Sequence, residues 1–107
     1  MAYTTIEIDK YRVAVFPQTG TPAKITFWNS SGNRFAVAYL RPEGEELPEA
    51  YEDVDQGHYR LYFYRSVLPE LVDLLRHEGP MFVHFWEGAG NNTHIATGRE
   101  PVGEDET

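Results

Sequence analysis

Arg12, Lys24, Arg34 and Arg60 share the parity of Trp28, Tyr62 and Tyr64 within short alternating runs, so one sheet face is expected to gather four of the nine basic residues with three large rings. Phe16 falls on the same side, and Ala14, Ala36 and Ala38 leave gaps between the larger groups. Such a surface suits a single-stranded nucleic acid or another extended anionic partner, because bases stack on aromatic faces while Arg and Lys neutralise phosphates. The same residues also suit a homodimer of structural or interaction role, in which Trp and Tyr fill an interface and Arg stems cover its apolar edges. Exposure separates the two readings. Rings open to solvent in the assembled protein favour a ligand, and rings buried against a second copy favour the dimer.

Other chemistries find less support. Histidines stand at positions 58, 77, 84 and 94, and imidazole is a common ligand of zinc, copper and iron. His84 and His94 are expected to approach across a hairpin, yet no carboxylate recurs around them at ligand spacing, so no metal site is assigned. Asp53-Val54-Asp55-Gln56-Gly57 begins like a calcium loop, but its twelfth position is Tyr64, which has no carboxylate to give. The absence of cysteine excludes disulfides, thiolate catalysis and cysteine-ligated zinc or iron–sulfur centres. No Ser or Thr sits in a nucleophile elbow, and no glycine-rich loop runs from a strand into a helix to cradle phosphate. Glu87 beside His84 is an example of a carboxylate that the sequence does not pair into an acid–base site. The expectation is a non-catalytic domain without a cofactor. Asn29-Ser30-Ser31 and Asn91-Asn92-Thr93 fit the glycosylation pattern, but without a signal peptide they read as turn chemistry.

The elements that must hold the candidate face follow from periodicity. Tyr11 to Phe16 alternates with period two, placing Tyr11, Val13 and Val15 on one side. Ile6 and Ile8 alternate in the opposite phase, which requires a bulge or bend near Asp9-Lys10 if both pieces face one core. Lys24 to Trp28 and Arg34 to Leu40 flank the turn residues Asn29-Ser30-Ser31-Gly32-Asn33 and read as a hairpin, with Ile25, Phe27, Phe35, Val37 and Tyr39 towards the core. His58 to Tyr64 resumes the sheet, with Tyr59, Leu61 and Phe63 inward. Val67, Leu68, Leu71, Leu74 and Leu75 recur at helical spacing after Ser66, an expected N-cap, and Glu78-Gly79-Pro80 ends the helix. Met81 to Trp86 and Thr93 to Thr97 form a last strand pair around a turn containing Gly88 and Gly90. The expected fold is α+β: a curved antiparallel sheet of about six strands in the order β-β-β-loop-β-α-β-β, with one helix packed on one face.

One helix cannot cover such a sheet. Six strands at ~4.8 Å spacing span roughly 29 Å, against ~16 Å for a helix of about eleven residues. Either the sheet curls around the helix or a second copy covers the rest, and a homodimer is the expectation.

With 107 residues, the chain is expected to form a single domain over 1–100 with a flexible acidic tail at 101–107. The formal net charge of −8 is unevenly placed. Residues 1–41 carry five bases against two acids, while 42–57 carry seven acids and no base, with Pro42, Gly44, Pro48 and Gly57 among them. That segment reads as a long solvated acidic connection holding at most a short helical turn. The start of the chain lacks a basic region followed by an apolar run, and no stretch is apolar enough to cross a bilayer, so a cytoplasmic location without membrane contact is expected.

Overall fold

The computed structural model describes residues 3–17, 22–86 and 92–98. The sequence expectations for Gly20, for Glu87 and the turn at 88–91, and for the acidic tail at 101–107 lie outside the described residues. The fold is α+β, with eight strands and one α-helix: β1 (Tyr3–Ile8), β2 (Lys10–Val15), β3 (Ala23–Trp28), β4 (Arg34–Arg41), β5 (Tyr51–Asp53), β6 (His58–Tyr64), α1 (Leu68–His77), β7 (Met81–Trp86) and β8 (His94–Thr97).

The single antiparallel sheet of six strands is not what forms. The strands divide into a five-stranded sheet ordered β2-β3-β4-β6-β5 and a three-stranded sheet ordered β1-β7-β8. The pair β4 and β6 is parallel, with Ala36 beside Tyr59 and Leu40 beside Phe63. The inner face that one helix cannot cover finds its cover within the chain. Ile25, Phe27, Ala36, Ala38, Leu40 and Leu61 of the larger sheet share one core with Val83 of the smaller sheet and Leu71 of α1. Ile6, Ile8 and Ile95 pack onto it from the smaller sheet, and Val67, Leu68, Val72 and Leu75 from the helical region. The Tyr59 and Phe85 rings, with centroids 4.4 Å apart, tie the two sheets together.

The opposite phases of Ile6/Ile8 and Tyr11/Val13 have a structural cause. At Asp9 the chain leaves the small sheet, where Ile6 faces Val83, and enters the large one, where Val13 faces Ile25. The Asp9 N–H donates to the Trp28 carbonyl at 2.8 Å and fixes the transfer point.

Strand β4 reverses the expected phase. Phe27 faces Ala36 and Trp28 faces Arg34, so Phe35 is an extra residue between two paired ones, a β-bulge. Beyond it, Ala36, Ala38 and Leu40 point inward, whereas Val37 and Tyr39 lie on the opposite side of the sheet from the one their alternation implied. Val37 is still only 3 % exposed, because it sits beneath its outer-face neighbours. Small residues suit the centre of the inner face, where Phe27 and Leu61 flank β4 and leave little room for larger neighbours.

Residues 42–57 hold a strand where at most a helical turn was expected. In β5, Tyr51, Glu52 and Asp53 pair antiparallel with Arg60, Tyr59 and His58. Gly57 closes the turn back into β6 at φ +77°, a conformation that costs glycine little, and the Gly57 N–H donates to the Asp53 carbonyl at 2.8 Å.

Ser66 does not cap the helix. It lies in a 3₁₀ turn, Arg65–Val67, and its N–H donates to Glu43 Oε2 at 3.0 Å, while Val67 occupies the N-cap without a side-chain bond. Proline in the first turn is compatible with a helix start because the N–H it lacks would have no helical partner there. No described helix is long and apolar enough to cross a membrane.

Candidate functional site

Alternation along the five strands assembles the outer face. From β2 come Lys10 and Arg12, opposite Trp28 and Thr26 of β3, and Lys24 of β3 lies between Ala14 and Tyr39. From β4 and β6 come the neighbours Val37 and Arg60, Tyr39 and Tyr62, and Arg41 and Tyr64. Tyr51 of β5 lies beside Arg60 on its far side. The seven residues singled out in the sequence, Arg12, Lys24, Trp28, Arg34, Arg60, Tyr62 and Tyr64, therefore share this side, with Arg34 at its margin opposite Trp28.

Lys10, Tyr39, Arg41 and Tyr51 join them and escape the sequence reading. Lys10 was legible as the residue two before Arg12. Tyr39 was hidden by the bulge, and Tyr51 by the acidic segment around it.

Rings and cations on this face are locked together on its β6 side. Arg60 Nε donates to Asp53 Oδ2 at 2.8 Å, and the guanidinium lies 5.1 Å from the Tyr39 ring centroid and 5.9 Å from that of Tyr51. Tyr39 and Tyr62 stack at 5.5 Å and 24°. Asp53 Oδ1 accepts the Gln56 N–H at 3.1 Å, and this bond, with Arg60, holds the Asp53 carboxyl below its ordinary value against the opposing effect of desolvation. Burial opposes the charge on Arg60, but Asp53 and the tyrosines outweigh it and raise its pKa above the ordinary arginine value. Burial and the neighbouring Tyr51 raise the Tyr62 phenol.

The acidic segment also folds back elsewhere. Arg41 Nη2 pairs with Glu45 Oε1 at 3.1 Å, and the Tyr64 hydroxyl donates to the Glu45 carbonyl at 2.6 Å. On the opposite side, Lys10, Arg12 and Lys24 make no ion pair among the described residues, where Arg41 pairs with Glu45 and Arg60 with Asp53, and His77 Nδ1 lies 3.0 Å from Asp73 Oδ1. Lys24 Nζ sits 5.7 Å from the Phe16 ring centroid. Among the described residues the face is thus graded: cations without ion pairs on β2 and β3, rings through the middle, and carboxylate-neutralised cations towards β5.

A second aromatic patch covers the outer face of the small sheet. The Thr5 hydroxyl donates to the Tyr3 oxygen at 2.6 Å, which leaves the Tyr3 proton for His84 Nδ1, also at 2.6 Å. His84 and His94 face each other across β7 and β8, as the spacing suggested, with rings stacked at 4.6 Å and 14°. The Tyr3 and Trp86 ring centroids are 4.2 Å apart. His94 Nδ1–H donates to the Asn92 carbonyl at 2.6 Å. Among the described residues no cluster of three or more His, Cys, Asp or Glu is placed to hold a metal ion.

Two histidines resist protonation. His58 is 5 % exposed, and neither ring nitrogen has a hydrogen-bond partner. Burial first, and then the charges of Arg34 and Arg60, depress its pKa below 6.5. Burial and His94 do the same for His84. The folded protein therefore binds fewer protons than the unfolded chain below about pH 6.5, and stability falls with acidification there. Urea midpoints are expected to be flat above pH 7 and to decline from pH 6.5 downward. His58→Phe should flatten the decline in part. A midpoint that rises on acidification would contradict the assignment.

Comparison of the chain with protein-family models, with curated proteins and with solved structures gives no match. The chain's own geometry defines its class: an α+β domain of two sheets around one helix-covered core, with a graded aromatic and cationic outer face.

Proposed function

We propose that the chain is a non-catalytic binding domain that takes an extended anionic strand, a single-stranded nucleic acid, across the outer face of its five-stranded sheet. The observation that carries this reading is the placement of Trp28, Tyr39 and Tyr62 beside Lys10, Arg12 and Lys24, three cations without ion pairs among the described residues. Bases stack on such rings whatever their identity, and the phosphates between them require nearby positive charge. The acidic segment bounds the track on its β5 side, because Asp53 and Glu45 already occupy Arg60 and Arg41.

The test is a titration of labelled single-stranded DNA and RNA at several salt concentrations. Replacing Lys10, Arg12 and Lys24 together by alanine should lower the slope of log K against log salt by about two units, each lost phosphate contact contributing roughly 0.7. Arg60→Ala should change the slope little, since its charge is committed to Asp53. Binding with no salt dependence would sink the reading. Sedimentation of the parent protein in the same buffers addresses the homodimer: self-association that Trp28→Ala and Tyr62→Ala abolish, with no nucleic acid bound, assigns the face to a second copy.

A further inference from the structure

Where the sheet-switching bend at Asp9 meets the β3–β4 turn, a cavity of about 340 Å³ opens with Trp28 in its lining. Its volume lies at the lower end of the range in which small molecules are held, roughly 300–1,000 Å³. Asp9, Lys10, Asn29 and Ser30 are among the residues that line it. We propose that this cavity is a guanine-selective subsite for the bound strand, an inference that rests on the strand-binding reading above.

The donors and acceptors around the cavity are unequal. Asn29 Oδ1 accepts both the Ser31 N–H and the Asn33 N–H at 3.0 Å, so the group Asn29 has left to offer is its NH₂, a donor. Asp9, whose backbone N–H donates to the Trp28 carbonyl at 2.8 Å, lines the same cavity as Trp28, so a base stacked on the Trp28 ring would come within reach of its carboxylate, an acceptor-only group. Lys10, paired across the strands with Trp28, supplies a cation for the adjoining phosphate. The turn is stiffened by bonds from Gly32 N–H to the Asn29 carbonyl and from Asn29 N–H to the Asn33 carbonyl, both 2.9 Å, with Gly32 at φ +84°.

A carboxylate beside a stacking ring discriminates among bases. On the pairing edge guanine presents two adjacent donors, N1–H and N2–H₂, which a carboxylate accepts together, and an O6 acceptor that can take a hydrogen bond from the Asn29 amide or the Ser30 hydroxyl. Adenine and cytosine each set a ring-nitrogen acceptor beside their single amino donor, and thymine or uracil flanks one N–H with two carbonyls. Each of these turns at least one lone pair towards the Asp9 carboxylate.

The experiment compares oligothymidylates of one length carrying a single central guanine, hypoxanthine, adenine or cytosine. The guanine strand is expected to bind about ten-fold more tightly than the adenine and cytosine strands, as one bidentate contact provides. Hypoxanthine, which lacks the N2 amino group, should fall between them, and this arm needs no change to the protein. Asp9→Asn should erase the guanine advantage. Equal affinity for all four strands would overturn the subsite while leaving the strand-binding reading in place. Failure of every strand to bind would overturn both.

Discussion

Phe27→Ala is expected to destabilise the protein by about 3–5 kcal/mol, a large part of the roughly 5–15 kcal/mol that holds a domain of this size. Phe27 is 0 % exposed and sits in the middle of the inner face, between Tyr11 of β2 and Ala36 of β4. Truncation removes a large ring and leaves a cavity. Ala36 has no side chain long enough to fill the space, so the site collapses poorly and the cost should lie in the upper part of the range for core truncations. Urea unfolding with a two-state fit measures it. A loss below about 1 kcal/mol would mean that the two sheets and the helix do not share the core at β3.

Trp28, the next residue along β3, points the other way, and its replacement should have the complementary effect. Trp28→Ala is expected to weaken nucleic-acid binding by ~1–3 kcal/mol, the contribution of one stacked base, while moving the urea midpoint far less than Phe27→Ala does. The pair makes an internal control, because both changes remove a large ring from the same strand. Fluorescence anisotropy of a labelled oligonucleotide reads the binding. Unchanged affinity in the Trp28 variant, together with a stability loss like that of Phe27→Ala, would make Trp28 a structural residue and remove the ring track from the proposed function.

Local pattern made much of this molecule legible. Lys24 to Trp28 and Met81 to Trp86 alternate buried and half-buried residues without interruption, as their sequences imply, and Leu68, Leu71 and Leu75 mark the inner face of α1. Even the division into two sheets left a trace, in the opposed phases of Ile6/Ile8 and Tyr11/Val13. A bend and a change of sheet write the same pattern, however, and only the pairing of β1 with β7 distinguishes them.

The bulge at Phe35 was invisible for a different reason. Phe35-Ala36-Val37-Ala38-Tyr39-Leu40 alternates large with small residues, and hydrophobicity alone favours turning the large ones inward. Packing chose otherwise, because the space between Phe27 and Leu61 accepts alanines. The parallel pairing of β4 with β6 and the brief strand β5 depend on contacts across the acidic segment, where charge masks what little alternation three residues can show. For the binding face, the parity of rings and bases sufficed to gather its members. Which cations are paired was not legible, since Arg60 and Arg41 find their counter-ions through the folding-back of residues 42–57.

The small sheet joins β1, from the start of the described chain, to β7, near its end, with Ile8 facing Met81. During synthesis the ribosome therefore releases β1 long before its partner exists. The apolar side chains of Ile6 and Ile8 must wait, uncovered, until Met81 to Trp86 emerge, and a waiting strand with an open edge invites pairing with another nascent chain. A translation product cut short before Met81 retains every strand of the five-stranded sheet and yet leaves β1 widowed. Emergence of Met81 to Trp86 is thus the event that gives β1 its partner.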